Sequence, residues 1–314
     1  MESLKLSFDA VMPIFILMAL GYLIKRLNLC DKKSFDAMNK LVFKIFLPTL
    51  LFYNIYKAES ATVIDVKLMS FTVITVLAIT IIGYFCTIWT TKDNSRRAIV
   101  WQSMFRANYA ILGIPLVTYI CGENSGALTS FMAVIIVPLF NILAVISLSR
   151  FGSKNEKINI PSILKGIITN PLIIGSTIGL IFFFFKLELP VVLEKSVKNI
   201  SSVATPLALI ALGSEFVFTD IKGYVKEIIV SVSARLIVVP LIGLSLAILM
   251  GFRGEALACL MIAFGSPLSV SSFAMSQQMG ADEKLCAQTI VISSAFCLVT
   301  LFLWIFLLSY LKLF

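Results

Sequence analysis

Histidine is absent from the sequence, and charged residues are scarce. The 314 residues include no His, and Asp, Glu, Lys and Arg together make up 14% of them, whereas charged residues make up about 25% of a typical soluble domain. A chain without imidazole cannot build histidine metal sites, Ser-His-Asp triads or histidine proton relays. The sequence also has no His-Glu-x-x-His motif, no Gly-x4-Gly-Lys-Ser/Thr loop and no pair of acids inside an apolar segment. Neither a membrane-embedded enzyme nor an ATPase is therefore expected.

Paired cysteine spacings are also missing. The six cysteines are scattered along the chain, mostly inside apolar segments: Cys30, Cys86, Cys121, Cys259, Cys286 and Cys297. Such a distribution is typical of small buried side chains rather than of a disulfide framework or a metal site. We therefore expect no metal and no cofactor.

Long apolar runs are what the sequence has in abundance. Hydrophobic residues make up 59% of the chain, and its mean hydropathy is +0.99. A helix that crosses a bilayer needs about 20 mostly apolar residues, and about ten segments of this kind follow one another with short turns between them. They lie near 9–27, 38–56, 68–90, 98–121, 127–149, 167–187, 199–218, 226–250, 256–279 and 286–311. The sequence predicts an all-α polytopic membrane protein of about ten transmembrane helices, embedded in the lipid bilayer.

The basic residues indicate an orientation. The net charge of +9 could suit a nucleic-acid partner, but the Lys and Arg residues form short clusters between apolar segments instead of one stripe, so no nucleic acid is expected. Alternate loops, beginning with the loop after the first segment, hold 14 Lys and Arg, and the termini with the other loops hold 8. Because loops rich in Lys and Arg stay in the cytoplasm, we expect a multi-pass protein of the cell membrane. Both termini should face outward, and the loop 151–162 should be cytoplasmic.

Prolines recur at a nearly constant distance along the chain. Six of the ten prolines form three pairs that are 158, 158 and 152 residues apart. The pairs are Pro13 with Pro171, Pro48 with Pro206, and Pro115 with Pro267. The pattern predicts two five-helix repeats, residues 1–150 and 163–314, joined by the short loop 151–162. Since each repeat has five spans, the second must be inverted. The alternative is coincidence, because Pro is common in transmembrane helices.

One proline pair lies in matching Gly-x-Pro motifs. Gly113–Pro115 in the fourth span corresponds to Gly265–Pro267 in the ninth. Proline removes a backbone hydrogen bond, and inside a bilayer the freed groups must lie in protein or beside water. We expect spans 4 and 9 to be broken at these motifs and to cross near the bilayer midplane, with half-helix N-termini facing an anion. The alternative is two ordinary proline kinks.

Polar residues near the motif of span 4 are candidates for the site. Arg106 lies deep in the span, so it should face the protein interior or water. It either binds an anion or is a structural arginine that pairs with carbonyls or with Glu215. Asn108 offers an amide donor without a permanent charge, which suits a carboxylate that must bind and then leave.

Other spans contribute weaker candidates. Ser266 and Ser269 in span 9 either bind the substrate or pack between helices, where serine is common. Arg235 in span 8 and Glu215 in span 7 are charges within spans, with either a coupling or a structural role.

The chain resembles the auxin efflux carrier family from the first span to the tenth. The resemblance lies in the stretches Met38–Phe43, Leu47–Pro48, Asn108–Leu116, Asn170–Pro171, Ala204–Ala208, Ala234–Pro240 and Gly265–Pro267. Plant members of this family export auxin, and its bacterial members include malate and malonate carriers. The stretch Asn-x4-Gly-Ile-Pro and its partner in span 9 are the most specific of these motifs.

The resemblance implies an elevator-like fold and a substrate site. Spans 1, 2, 6 and 7 would form a scaffold, and spans 3–5 and 8–10 a moving transport domain. This domain would contain the point where the broken spans 4 and 9 cross, which we call the crossover. The family's carboxylate-binding residue corresponds to Asn108, its crossover prolines to Pro115 and Pro267, and its apolar contacts to Leu47 and Val270. Asn170, in a matching stretch, joins these candidate substrate-binding residues. A homodimer is implied as well. The plant carriers' acid near the start of span 3 has no counterpart here, which leaves coupling to H+ or Na+ open.

These patterns predict a secondary active transporter of a small organic anion. An anion channel or a membrane-embedded ligand sensor on the same fold is the alternative, because a pore and a carrier share polar interior residues. Malate, malonate and an indole-type acid all present a carboxylate, so the sequence leaves the substrate and the direction of transport open.

The predicted orientation can be tested by labelling intact cells. Because the basic loops should be cytoplasmic, a tag at Phe314 should be accessible from outside, and a cysteine placed at Lys154 should be protected from an impermeant thiol reagent. Labelling with the opposite sidedness would overturn the assignment.

Overall fold

The computed structural model describes residues 2–57, 65–122, 125–152, 168–169, 171–214 and 223–314. Within these ranges the secondary structure is almost entirely helical, and the β-type pairing is one isolated antiparallel bridge between Ala107 and Leu268. The helices of the first half are α1 (Glu2–Arg26), α2 (Lys32–Leu41), α3 (Leu47–Tyr56), α4 (Val66–Thr90), α5 (Asn94–Phe105), α6 (Tyr109–Cys121) and α7 (Gly126–Phe151). Those of the second half are α8 (Pro171–Phe184), α9 (Val191–Ser214), α10 (Val225–Ser233), α11 (Val239–Leu249), α12 (Gly254–Gly265), α13 (Ser271–Gln278) and α14 (Glu283–Tyr310).

Six helical stretches in the described part of the chain could cross a membrane, judged by length and composition alone. They are Leu4–Arg26, Val66–Thr90, Gly126–Phe151, Val191–Ser214, Val225–Leu249 and Glu283–Tyr310. This result confirms a multi-pass, all-helical membrane protein, whereas ten spans and an inverted repeat stay predictions. The predicted spans 4 and 9 are each divided between two shorter helices, α5 with α6 and α12 with α13.

Four helices begin at an aspartate. Asp31, Asp65, Asp93 and Asp282 each accept the backbone N–H of the residue three positions on, at 2.8 to 3.0 Å. Such a cap satisfies an N–H that has no partner within the helix, and it places a negative charge at the positive end of the helix dipole. At Asp93, hydrogen bonds from the Ser95 hydroxyl and the Arg96 N–H hold the pKa of the carboxyl below its usual range. The caps fix where α2, α4, α5 and α14 start.

Two long helices contain a widened turn before a proline. The π-helical segment Val42–Phe46 joins α2 to α3, and the segment Ala234–Val238 joins α10 to α11. In both, proline follows as the second residue of the next helix, Pro48 or Pro240. The proline ring clashes with the carbonyl four residues earlier, and a wider turn relieves that clash. After Pro240 the freed carbonyl of Leu236 accepts a hydrogen bond from the Trp304 indole at 3.1 Å.

Glycines bring helices of spans 1, 2, 6 and 7 into backbone contact. α1 packs along α9, and α3 packs along α8. A methyl group added at Gly21 of α1 would collide with the carbonyl oxygen of Ile210 in α9, and one at Gly213 of α9 would collide with that of Met18. At Gly175 of α8 the collision would be with the Pro48 carbonyl. Small residues allow such close approach inside membranes, where packing rather than water drives helices together.

This contact predicts that Gly213 cannot carry a side chain. The Met18 carbonyl belongs to the α1 backbone and cannot turn aside, so we expect Gly213→Ala to destabilise the fold by about 1–3 kcal/mol or more. Gly113→Ala is the matched control, because its methyl would meet the nearest atom, Ile262 Cγ2, at 3.4 Å, an ordinary contact. Thermal unfolding of the purified variants in detergent measures the difference, and equal melting temperatures would contradict the close approach.

Candidate functional site

The interruptions of spans 4 and 9 meet each other. α5 ends at Phe105 and α6 begins at Tyr109, whereas α12 ends at Gly265 and α13 begins at Ser271. The two extended linkers run antiparallel: Ala107 pairs with Leu268, and the Asn108 N–H donates to the Pro267 carbonyl at 2.8 Å. Backbone groups freed by the broken helices therefore bond to one another, as a membrane interior requires.

The position of the break differs from the prediction in span 4. Pro267 lies in the linker of span 9 as expected, and proline keeps the residue before it, Ser266, extended (φ −77°, ψ 156°). Pro115, by contrast, lies inside α6. The chain leaves the helix earlier, at Arg106 (φ −85°, ψ 107°), and Asn108 precedes the first residue of α6. Asparagine favours this non-helical position at a helix start, so Asn108 rather than Gly113–Pro115 marks the break.

The motif glycines, Gly113 and Gly265, are not points of close approach between the two interrupted spans. Methyl groups added at Gly113 and Gly265 would have nearest contacts of 3.4 and 3.7 Å. Both values are ordinary van der Waals separations. The crossover is therefore held by hydrogen bonds between the linkers, not by glycine packing.

Arg235 joins the ends of both broken helices. Its guanidinium, 1% exposed, donates to the Ser266 carbonyl at 2.7 Å and to the Ala263 carbonyl at 2.6 Å. It also donates to the carbonyls of Met104 and Phe105 at 3.3 and 3.4 Å. These are the carbonyls at the C-termini of α12 and α5, which carry the negative ends of the helix dipoles. The charge of Arg235 is thus satisfied by backbone carbonyls, which favours the structural over the coupling role.

Arg106 is held by neutral groups. It is 1% exposed, and its Nη2 donates to Asn141 Oδ1 at 3.0 Å and to Ser271 Oγ at 2.9 Å. Longer contacts reach Met275 Sδ at 3.1 Å from Nη2 and Gln102 Oε1 at 3.4 Å from Nη1. These partners fix the orientation of the guanidinium but bring no negative charge to it.

Asn108 lies two residues after this arginine and is also buried. The side chain is 4% exposed, and its Nδ2 has no hydrogen-bond partner among the described residues. Alternate residues of an extended segment face the same side, so Arg106 and Asn108 share one face of the linker. Ser269 lies in the linker opposite, and its hydroxyl is 2.9 Å from that of Ser271. The Ser266 hydroxyl is also buried without a partner. The crossover therefore holds several polar groups with unused hydrogen-bonding capacity.

Acidic residues do not neutralise the two buried arginines within the described ranges. The ion pairs found there are Lys57 with Glu194, and Arg96 with Glu227 and Asp282. An unpaired buried charge is unfavourable, and helix α6 directs its positive N-terminal end toward the same place. The arrangement is suited to receiving an anion.

The remaining predicted residues lie elsewhere or outside the described ranges. Leu47 is 2% exposed at the start of α3, and Val270 precedes the first residue of α13. Asn170 and Glu215 lie outside the described residues, so an Arg106–Glu215 pair stays a hypothesis.

Sequence reasoning missed two partners of Arg106. Gln102 lies four residues before it on the same helix face, a spacing that brings side chains together. Asn141 is the one amide side chain in the apolar helix α7. A polar residue of that kind inside a span is itself a signal of a functional or packing contact.

Known proteins share this chain's length and pattern. The chain matches the family described as membrane transport protein over residues 6–305. It is 27% identical to an uncharacterized transporter of Methanocaldococcus jannaschii, over 95% of this chain and 98% of that one. It is 23% identical to a Rhizobium meliloti protein named "Putative malonate transporter", over 92% of each chain. Its identity to auxin efflux carrier component 5 of Arabidopsis thaliana is 22%, over 90% of this chain and 91% of that one.

The contacts of Arg235 predict that lysine cannot replace it. A single ammonium cannot reach carbonyls on two helices at once, and each hydrogen bond to a charged group contributes about 1.5–3 kcal/mol. We expect Arg235→Lys to lower the melting temperature and the folded yield markedly. Arg253→Lys is the control, because Arg253 is exposed and bonds only to nearby carbonyls, those of Ile248 and Phe252. Similar stability of the two variants would contradict the structural role.

Proposed function

The chain belongs to the membrane transport protein family, the family of auxin efflux carriers that its motifs indicate, and from this premise we propose that it is a secondary transporter of a small organic carboxylate. The carboxylate would bind at the crossover and cross the cell membrane by alternating access. The relatives named for malonate and for auxin support this substrate class, because both compounds carry a carboxylate.

One observation carries the proposal: a buried guanidinium and a buried amide N–H without a partner lie two residues apart in the linker of span 4. The alternation of an extended segment places them on the same side. Arg106 is oriented by neutral partners, and Asn108 Nδ2 is unpartnered. A carboxylate placed there would receive a charge-assisted hydrogen bond from the arginine and a second bond from the amide. It would also satisfy groups whose burial without partners is unfavourable. A site of this kind favours an anion over a cation or a neutral solute.

The other candidates take supporting roles in this proposal. Ser266 and Ser269 supply hydroxyl donors around the carboxylate, and Leu47 and Val270 supply apolar contacts to the rest of the substrate. Asn170 stays a candidate on the basis of the resemblance alone. Because Asn108 lies at the N-terminal end of α6, the amides of that helix end, rather than those after Pro115, would complete the anion site.

The packing of the helices supports a scaffold and a mobile transport domain. Contacts of α1 with α9 and of α3 with α8 pair span 1 with span 7 and span 2 with span 6. These pairs are equivalent under the proposed inverted repeat, and their glycines hold them at backbone distance. The crossover helices pack chiefly among α4, α7, α10, α11 and α14, and α6 also contacts α1 and α9. An elevator mechanism would move this second group against the first.

Deep burial favours a carrier over a channel. Arg106 and Asn108 are 1% and 4% exposed, so these two side chains are closed off in this conformation, whereas Ser271 next to Arg106 is exposed. A carrier needs such an occluded state, whereas an open channel needs a continuous wet path. Saturable uptake with counterflow would support a carrier, and imposed H+ or Na+ gradients would identify a coupling ion.

The role of Asn108 can be measured by replacing it. A hydrogen bond to a charged group contributes about 1.5–3 kcal/mol, so we expect Asn108→Ala to weaken carboxylate binding roughly 10- to 100-fold. Folding should change less, because Asn108 Nδ2 has no hydrogen-bond partner among the described residues, and alanine keeps the backbone N–H that bonds to Pro267. The measurements are binding by calorimetry and uptake into liposomes, with malonate and malate as first probes.

Asn199→Ala is the matched control, because Asn199 is exposed on α9. It should bind and transport like the wild type. Wild-type affinity in a well-folded Asn108→Ala protein would place the substrate elsewhere.

A further inference from the structure

One face of α2 and of the π-helical segment that follows it carries a row of lysines. Lys33, Lys40 and Lys44 are seven and four residues apart, which places them on one side of a helix, and all three are exposed. The opposite side is packed: Phe35 and Val42 are each 3% exposed. We call Lys33, Lys40 and Lys44 the lysine face.

The charges of the lysine face have no acidic partner within the ranges that the structure describes. The ion pairs found among the described residues do not include any of its three ammonium groups. Lys32 adds a further exposed positive charge at the start of α2. Asp36 is the nearby carboxylate on this helix, and it too is exposed and outside those ion pairs. The face is therefore positively charged overall.

Apolar side chains flank the lysines. Leu41, Phe43 and Ile45 are 46%, 40% and 47% exposed. By helical rise Lys40 and Lys44 lie about 12 and 18 Å from Lys32. An exposed ammonium is unfavourable beside lipid tails unless its flexible stem carries it toward the headgroups. Exposed apolar residues next to it can contact acyl chains. Lysines flanked by exposed apolar side chains thus form a surface that can contact both the headgroups and the acyl chains of lipids.

We propose that the lysine face binds the phosphate headgroup of an anionic phospholipid in the leaflet on the basic side of the protein. The ammonium groups would bind the phosphate, while Leu41, Phe43 and Ile45 would lie along the acyl chains. Clusters of basic residues next to a membrane-spanning segment attract anionic lipids in this way. The proposal concerns a lipid, and it does not depend on which solute the crossover binds.

A second copy of the chain fits this surface less well. A symmetric dimer contact presents the same surface to itself, so it would place lysines against lysines. The substrate fits less well too. The packed side of α2 lies against α9, and the lysine face is on the opposite side, so it points away from the interior of the protein. An anionic lipid is the partner that complements both the charge and the apolar flanks.

The test is native mass spectrometry of the full chain released from nanodiscs that contain equal amounts of phosphatidylcholine and phosphatidylglycerol. The wild type should retain phosphatidylglycerol in preference. Lys40→Gln/Lys44→Gln should reduce the affinity for this lipid roughly 10- to 30-fold. Lys40→Arg/Lys44→Arg should keep it, because the charge remains. Lys195→Gln/Lys198→Gln is the matched control, since it removes two exposed lysines from α9, and it should bind the lipid like the wild type.

Several results would overturn the proposal. Unchanged retention of phosphatidylglycerol in Lys40→Gln/Lys44→Gln would do so, as would an equal loss in the α9 control. Displacement of the lipid by millimolar inorganic phosphate would indicate a site for free anions instead. Dissociation of a dimer without a change in lipid retention would assign the face to a second copy. Melting in nanodiscs of phosphatidylcholine alone checks folding, and Lys33→Gln and Lys44→Gln as single variants replace the double variant if it does not fold.

Discussion

Inside a bilayer a backbone carbonyl has no water to bond to, and two broken helices leave several carbonyls in that position at once. Arg235 bonds to four of them, from the ends of α5 and α12. The linkers then satisfy part of each other's backbone through the contact between Asn108 and Pro267. The interruption of both spans, and with it any site at the crossover, depends on this arrangement. The backbone groups that a broken helix leaves free in a membrane therefore find partners locally, in the Arg235 side chain and in the short antiparallel pairing of the linkers.

The two buried arginines have similar burial and different environments. Arg235 is surrounded by carbonyls and needs no further partner. Arg106 is oriented by Asn141 and Ser271, both neutral, so it keeps its charge available to a ligand. The same residue type thus binds helix-end carbonyls at position 235 and is a candidate ligand-binding group at position 106. Their hydrogen-bond partners, not their depth, separate the two roles.

The sequence predicted the helical membrane architecture, the family and the meeting of spans 4 and 9, because apolar length and proline positions are local signals. It misplaced the break in span 4, since Pro115 is tolerated inside α6 and the extended segment is instead set by Asn108 and its bond to Pro267. It also left the role of Arg235 open, because its four carbonyl partners are brought together only by packing. Gln102 could have been found from its spacing to Arg106. The contact of Asn141 with Arg106 crosses from one helix to another, and no local pattern specifies it.

The backbone contacts at glycines also determine which helices can move relative to one another. Interfaces lined by side chains absorb small shifts, because rotamers change at little cost. Between α1 and α9 a carbonyl oxygen lies where a Cβ would be, and the same holds between α3 and α8. Sliding these helices past each other would drive backbone into backbone, with no rotamer to take up the displacement. Backbone contacts of this kind resist sliding. In an elevator mechanism, motion would therefore occur at interfaces lined by side chains, such as the one where α3 meets α7 through Asn54 and Ser130. A few glycines, which lack a Cβ, thereby determine which helix–helix interfaces can slide.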